Sequence, residues 1–280
     1  MELNTIEPPI KIKKYVKYFW HSRLDISRQR FSTYKILADV SPGIIFHHDN
    51  GNSTIFEENG VQLPNVFIYG PGTKPCHNIE KGNSFLFGIC FQPTALKTLL
   101  GIDADLIQNC LIRLDDILSY NLADELLNTT NPESVREIFT TLINGKLLKN
   151  RNEDLLIDKS IELIDRNTRS ANIDTLSKNL NISKRQYQRR FKHFVGLCPA
   201  KYIRIVKFQK SLQLLRSNEY HKLSDIAYYL GYADQSHFIK EFKLFSGFRP
   251  KDLSGSNSNV SRSEKLGYKP NFLTNRIILS

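Results

Sequence analysis

Four side chains in the last third of the 280-residue sequence, Arg185, Gln188, Arg189 and Lys192, recur at i, i+3, i+4 and i+7. On an α-helix that spacing gathers them on one face. Arg can donate two hydrogen bonds to a guanine edge and Gln can pair with adenine, both in the major groove of a DNA duplex. Lys supplies a charge for phosphate. A second stripe of the same spacing, Ser236, Ile239, Lys240 and Lys243 with Gln235 beside it, lies further along. It is less basic and contains one apolar residue. A single such stripe is more often a solvated charged face than a reading head; two on one strongly basic segment favour nucleic acid.

Other chemistry finds weaker support. His47 and His48 are adjacent, and on a strand they would point to opposite sides, which is poor geometry for one metal. Gly70-Pro71-Gly72-Thr73-Lys74 has neither the glycine-lysine-Ser/Thr ending nor the spacing of a phosphate loop and reads as a turn. Cys76 and His77 are neighbours in sequence rather than an oriented nucleophile and base. There is no GxSxG elbow, no HExxH helix and no reactive-cysteine motif of a repair methyltransferase. The expectation is therefore no catalytic residue, no metal, no cofactor and no enzyme. The competing readings are an enzyme, or an interaction module without DNA binding, that carries this basic segment.

The elements that must hold the two stripes are found by internal repetition. Shifting Ser183 to Pro199 by 51 residues aligns Tyr187 with Phe238, Phe191 with Phe242, Lys192 with Lys243, Phe194 with Phe245, Gly196 with Gly247 and Pro199 with Pro250. Upstream, a shift of 50 matches Leu176 with Ile226 and Leu180 with Leu230. Each copy reads as a short helix, a tight turn and a longer recognition helix, over about 183–195 and 234–246. Asn181-Ile182 and Gly231 make the turns, Ser183 and Asp234 cap the second helices, and a glycine then a proline close each copy. Tyr187, Phe191 and Phe194, like Phe238, Phe242 and Phe245, fall on the opposite face from the polar stripe and are expected in a core. Pro199 to Ser217 reads as a connecting helix, ~28 Å long at ~1.5 Å per residue.

Charge divides with this organisation. Met1 to Asp154 carries 16 Lys+Arg against 18 Asp+Glu, whereas Leu155 to Ser254 carries 19 against 9. A net +10 on one hundred residues attracts a polyanion. Before that segment the chain reads as short strands at Phe31 to Val40, Gly43 to His48, Val66 to Tyr69 and Ser84 to Phe91, separated by turns. Helical spacing follows through Ala95 to Leu100, Ala104 to Cys110, Leu114 to Leu127 and Pro132 to Leu148, and again from Leu155 to Thr168. The expected fold is α+β: a β-barrel or sandwich with trailing helices over 1–152, an all-α domain of two helix-turn-helix units over 153–254, and a flexible tail over 255–280. Four cysteines without CxxC spacing suggest free thiols. The N-terminus lacks the pattern of a signal peptide and no segment approaches a membrane span, so a cytoplasmic protein without membrane attachment is expected.

The segment IAYYLGYADQSHFIKEFKLFSGFRPKDL resembles the second helix-turn-helix of the AraC/XylS family of bacterial transcription regulators, through Gly231-Tyr232, Ser236-His237-Phe238, Phe242-Lys243, Gly247 and Pro250. The likeness runs over roughly Leu155 to Leu253, with Ser177 standing where the family usually has alanine. It implies base contacts from Arg185, Gln188 and Arg189 in the first unit and from Gln235, Ser236 and Lys240 in the second; Lys184, Lys192 and Lys243 are expected to meet phosphates and set the register. It implies promoter DNA and RNA polymerase as partners. The stretches ILADVSPGIIFHH and FGICFQPTALKTLLGIDADLIQNCLIRLDDIL resemble a sensory-type domain of one branch of that family, where a small effector or a homodimer is the implied partner.

Overall fold

A computed structural model describes residues 2–24, 31–118, 122–149, 152–217, 220, 222–253 and 276–279 of the chain. The first part is a β-sandwich of strands β1 (Glu2–Ile6), β2 (Val16–Leu24), β3 (Phe31–Ile36), β4 (Gly43–His48), β5 (Ile55–Glu57), β6 (Val66–Tyr69), β7 (Cys76–Lys81), β8 (Ser84–Phe91) and β9 (Leu111–Arg113). One antiparallel sheet has the order β1-β2-β8-β4-β6-β9. The other is β3-β7-β5, extended beyond β3 by β10 (Arg276–Leu279).

Period-two patterning explains why β8 is central. Phe85, Phe87, Ile89 and Phe91 face a layer of helices, while Leu86 faces the second sheet in the cluster that holds Trp20, Tyr34, Ile45 and Phe67. Both faces are covered, so β4 and β8 are buried at every position. Gly88 is required here, because a Cβ on it would lie 2.0 Å from the Trp20 ring. The helical cover is α1 (Leu122–Leu127) and α2 (Pro132–Lys149), whose Phe139 stacks on Phe87 at a centroid distance of 5.9 Å.

The strands expected at Gly43 to His48, Val66 to Tyr69 and Ser84 to Phe91 are β4, β6 and β8. The one expected through Val40 stops at Ile36, because Leu37, Ala38 and Val40 leave the sheet and are buried among the C-terminal helices. The helix expected over Leu114 to Leu127 is a single 3-10 turn at Leu114–Asp116 and then α1, with 119–121 outside the described residues. That over Ala104 to Cys110 is a 3-10 turn, Ala104–Ile107. Asn109 follows it in the left-handed region (φ 57°), its side-chain Oδ1 accepting from the Thr73 backbone N–H at 2.7 Å. Of the expected flexible tail over 255–280, 255–275 and Ser280 lie outside the described residues, but Arg276–Leu279 forms a strand.

The C-terminal part is all-helical: α3 (Leu155–Arg166), α4 (Ile173–Asn179), α5 (Lys184–Val195), α6 (Pro199–Ser217), α7 (Leu223–Tyr229), α8 (Gln235–Ser246) and α9 (Pro250–Leu253). The two units, α4-α5 and α7-α8, share one core through α6. Phe208 of α6 packs edge-on to Phe242 at 5.3 Å and against Phe245 at 5.5 Å. Phe191 meets Tyr202 at 5.2 Å. Helix α6 is apolar on several sides because it is surrounded.

Candidate nucleic-acid interface

Both recognition helices begin where the sequence places their caps. The Ser183 hydroxyl accepts from the Gln186 N–H, and the Gln186 side chain accepts from the Ser183 N–H in return, a closed capping box. The Asp234 carboxylate accepts from the His237 N–H at 2.7 Å. The preceding turns need left-handed backbone, supplied by Asn181 (φ 53°) in the first unit and Gly231 (φ 70°) in the second.

The core face of α5 is Tyr187, Phe191 and Val195, and that of α8 is Phe238, Phe242 and Phe245, all fully buried. Phe194, expected in the core with them, is only half-buried, because it falls at the margin of the apolar stripe. Opposite these aromatics, Arg185, Gln188 and Arg189 of α5 and Gln235, Ser236 and Lys240 of α8 are all exposed. The structure thus brings each trio onto one helix face. Ile239 turns partly inward against the core, which removes the apolar residue from the second stripe.

Two of the three lysines expected on phosphate are engaged within the chain. Lys184 is 2.6 Å from Asp174 of α4, with both side chains more than half exposed. Lys192 is 3.6 Å from Asp105, a residue of the N-terminal domain. Lys243 is exposed on α8. Beside Lys192, His193 lies 3.4 Å from Asp103, whose carboxyl is held below its ordinary range by a hydrogen bond from Lys97.

Two paired arginines that the sequence reading missed hold the helices in place. Arg190 makes a bidentate contact with Asp154, at 2.7 and 2.8 Å, and Asp154 also caps α3. Arg204 of α6 grips Glu241 of α8 through two bonds of 2.6 Å. The available signal was phase, since Arg190 adjoins Phe191 and Glu241 adjoins Phe242 on the core side. Lys207 reaches between the units and donates to the carbonyls of Arg169 and Gly231, at 3.3 and 3.2 Å, tying the α3-α4 connection to the second turn.

Residues 176–255, which run from within α4 to just beyond α9, match the family described as "Helix-turn-helix domain". The C-terminal third is a helix-turn-helix domain of the AraC type. Over 83 residues the chain is 31% identical to the HTH-type transcriptional activator RhaS of Escherichia coli O157:H7, covering 30% of each chain. The chain therefore spans under a third of the length of the curated relatives it matches. Residues 4–113 match a domain of unknown function, DUF6597. Among solved structures, ToxT of Vibrio cholerae aligns over 84% of this chain and 97% of its own, at 16% identity and a TM-score of 0.45. An AraC-type transcriptional regulator of Chromobacterium violaceum aligns over 38% and 95%, at 20% identity and a TM-score of 0.34. In this chain the AraC-type domain is joined to a β-sandwich by contacts that reach both of its units.

Among the described residues no group of three His, Cys, Asp or Glu side chains is placed to hold a metal, and no helix is long and apolar enough to cross a membrane. His47 is buried, its ring nitrogens paired with Thr54 and the Pro64 carbonyl, and His48 is packed against Phe46 and Phe85.

Proposed function

We propose that the chain is a sequence-specific transcription regulator of the cytoplasm that binds promoter DNA with α5 and α8 in the major groove. One observation carries the reading: two capped recognition helices, fixed to one rigid α6, each turn a polar and basic face to solvent while their aromatics fill a shared core. Arg185, Gln188 and Arg189 read one half-site. Gln235, Ser236 and Lys240 read the other. Phosphates are met by Lys184, Lys192 and Lys243, whose contacts set register. A helix of the length of α6 suits half-sites one helical turn, ~34 Å, apart. Contact with RNA polymerase then raises or lowers transcription, the β-sandwich supplies regulation by a small effector or by forming a homodimer, and no catalytic step is assigned.

Selection of bound sequences from random duplex DNA at ~0.15 M salt tests the reading, comparing the wild type with an Arg189→Ala, Lys240→Ala double variant. A two-part motif that the variant no longer recovers is the expected result. Recovery of the same motif by both proteins, or of none by the wild type, contradicts it.

A further inference from the structure

Between the two sheets lies a cavity of about 970 Å³, large enough for a drug-sized molecule. We propose that it binds a small organic cation with a flat apolar body, and that the segment 35–41 carries its occupancy to the second recognition helix. The coupling rests on the DNA-binding reading above; the binding does not.

The ligand class follows from the lining. Four aromatic residues, Tyr18, Trp20, Phe67 and Tyr69, form much of the wall. Their ring faces carry negative quadrupole density and favour a cation. The floor is uncharged: burial raises the Tyr18 hydroxyl and pushes the Cys90 thiol up to about 11. The charged lining is mainly acidic, with Asp39, Glu57 and Glu58 set against Lys74 and the imidazole of His77. Glu58 and Lys74 are exposed and mark the mouth. A carboxylate ligand would be brought beside three others without enough counter-charge, whereas an ammonium group gains both the acids and the rings.

The same wall is part of the DNA-binding domain. Ile36, Leu37, Asp39 and Ser41 line the cavity, yet Leu37, Ala38 and Val40 are buried in the core that holds α5, α6 and α8. The Ala38 N–H donates to the carbonyl of Phe245 in the last turn of α8, at 3.0 Å. Asp39 Oδ1 accepts from the Gln209 side chain of α6 at 2.6 Å. The Lys35 ammonium sits 4.1 Å above the Phe248 ring, just past the end of α8. A molecule that displaces this segment must therefore strain contacts to α6 and α8 together.

The test uses the full chain with phenethylamine and, as a control with the same phenylethyl body and opposite charge, 3-phenylpropionate. Phenethylamine at roughly five times its Kd is expected to raise the melting temperature by about 2–4 °C, and 3-phenylpropionate is expected to leave it unchanged. A Glu57→Gln, Glu58→Gln variant is expected to lose the preference. No stabilisation by the amine, or equal stabilisation by the acid, overturns the site. For the coupling, phenethylamine is expected to change the affinity for a selected duplex at least threefold in the wild type, and not in Gln209→Ala, which still binds the amine. Unchanged DNA affinity in the wild type overturns the coupling. Failure to bind DNA with or without the amine overturns the regulator reading and leaves the melting result to decide the cavity.

Discussion

Arg189 and Arg190 are adjacent in sequence and opposite in role, and only helical phase separates them. Arg189 faces solvent, whereas Arg190 is committed to Asp154 through two charge-assisted bonds. If Arg189 reads a base, Arg189→Ala costs about 1–3 kcal/mol and relaxes preference at one position. Lys192→Ala instead weakens binding to all sequences alike and flattens the salt dependence. Titrations of both variants against matched and mismatched duplexes distinguish the two; identical profiles contradict the assignment. Asp105 now competes with phosphate for Lys192. Asp105→Asn is accordingly expected to tighten binding to an unrelated duplex by roughly 0.5–1 kcal/mol, as suits a half-exposed ion pair. Looser binding in that variant refutes a masking role. The trio of α5 was legible in the sequence because i, i+3, i+4 spacing needs only a helix; in α8 that spacing marked Ser236 and Lys240, with Gln235 added by the resemblance. Asp103 and Asp105 were not, since they reach α5 from some ninety residues away and no local pattern records such a contact.

At the scale of elements, α5 ends on Gly196 in the left-handed region (φ 80°), where a Cβ would lie 2.5 Å from the Ala104 carbonyl oxygen of the N-terminal domain. Gly101 has a similar φ of 70° with open space beside it. Gly101→Ala should therefore cost only the backbone term, about 1–2 kcal/mol. Gly196→Ala should cost a further 1–3 kcal/mol or so of overpacking. Denaturant unfolding of the pair measures the difference, and equal costs would mean that α5 does not pack this closely on the sandwich. Caps, turns and recognition helices were readable because each rests on local chemistry repeated twice. Strands β1, β2, β5, β7 and β9 escaped notice: β1, β5, β7 and β9 are short or half-exposed and carry Asn, Glu, Lys or Arg, and β2 interleaves Lys17, His21 and Arg23 with its aromatics rather than showing an apolar run. The end of β3 was misplaced for the opposite reason. Leu37, Ala38 and Val40 have strand-like residues, but their burial is satisfied by the helical domain.

For the whole molecule, the two domains are joined along several lines: Glu153 with Lys14 at 2.5 Å and with the Tyr15 hydroxyl, Asp158 with Thr94 at 2.8 Å, and the segment inserted beneath α8. Hydrogen bonds from Lys14 and Tyr15 hold the Glu153 carboxyl below its ordinary range. Its folded-state pKa is depressed, so its contribution is present above the unfolded value of ~4.3 and is lost as pH falls through the folded one. Glu153→Gln should therefore reduce stability at pH 7 and lessen the loss between pH 5 and 3. Parallel curves for variant and wild type exclude this contribution. Segregated charge had marked the basic domain in the sequence, but how the β-sandwich docks on it depends on distant side chains that composition does not order. The most direct test of the central claim, that one chain reads two half-sites with α5 and α8, is the affinity for the selected duplex after five base pairs are inserted between its halves. Five pairs turn one half-site by about half a helical turn. The account predicts at least a tenfold loss, not restored when ten pairs are inserted, because α6 fixes the separation of the two recognition helices as well as their phase. Full affinity with five pairs inserted contradicts it.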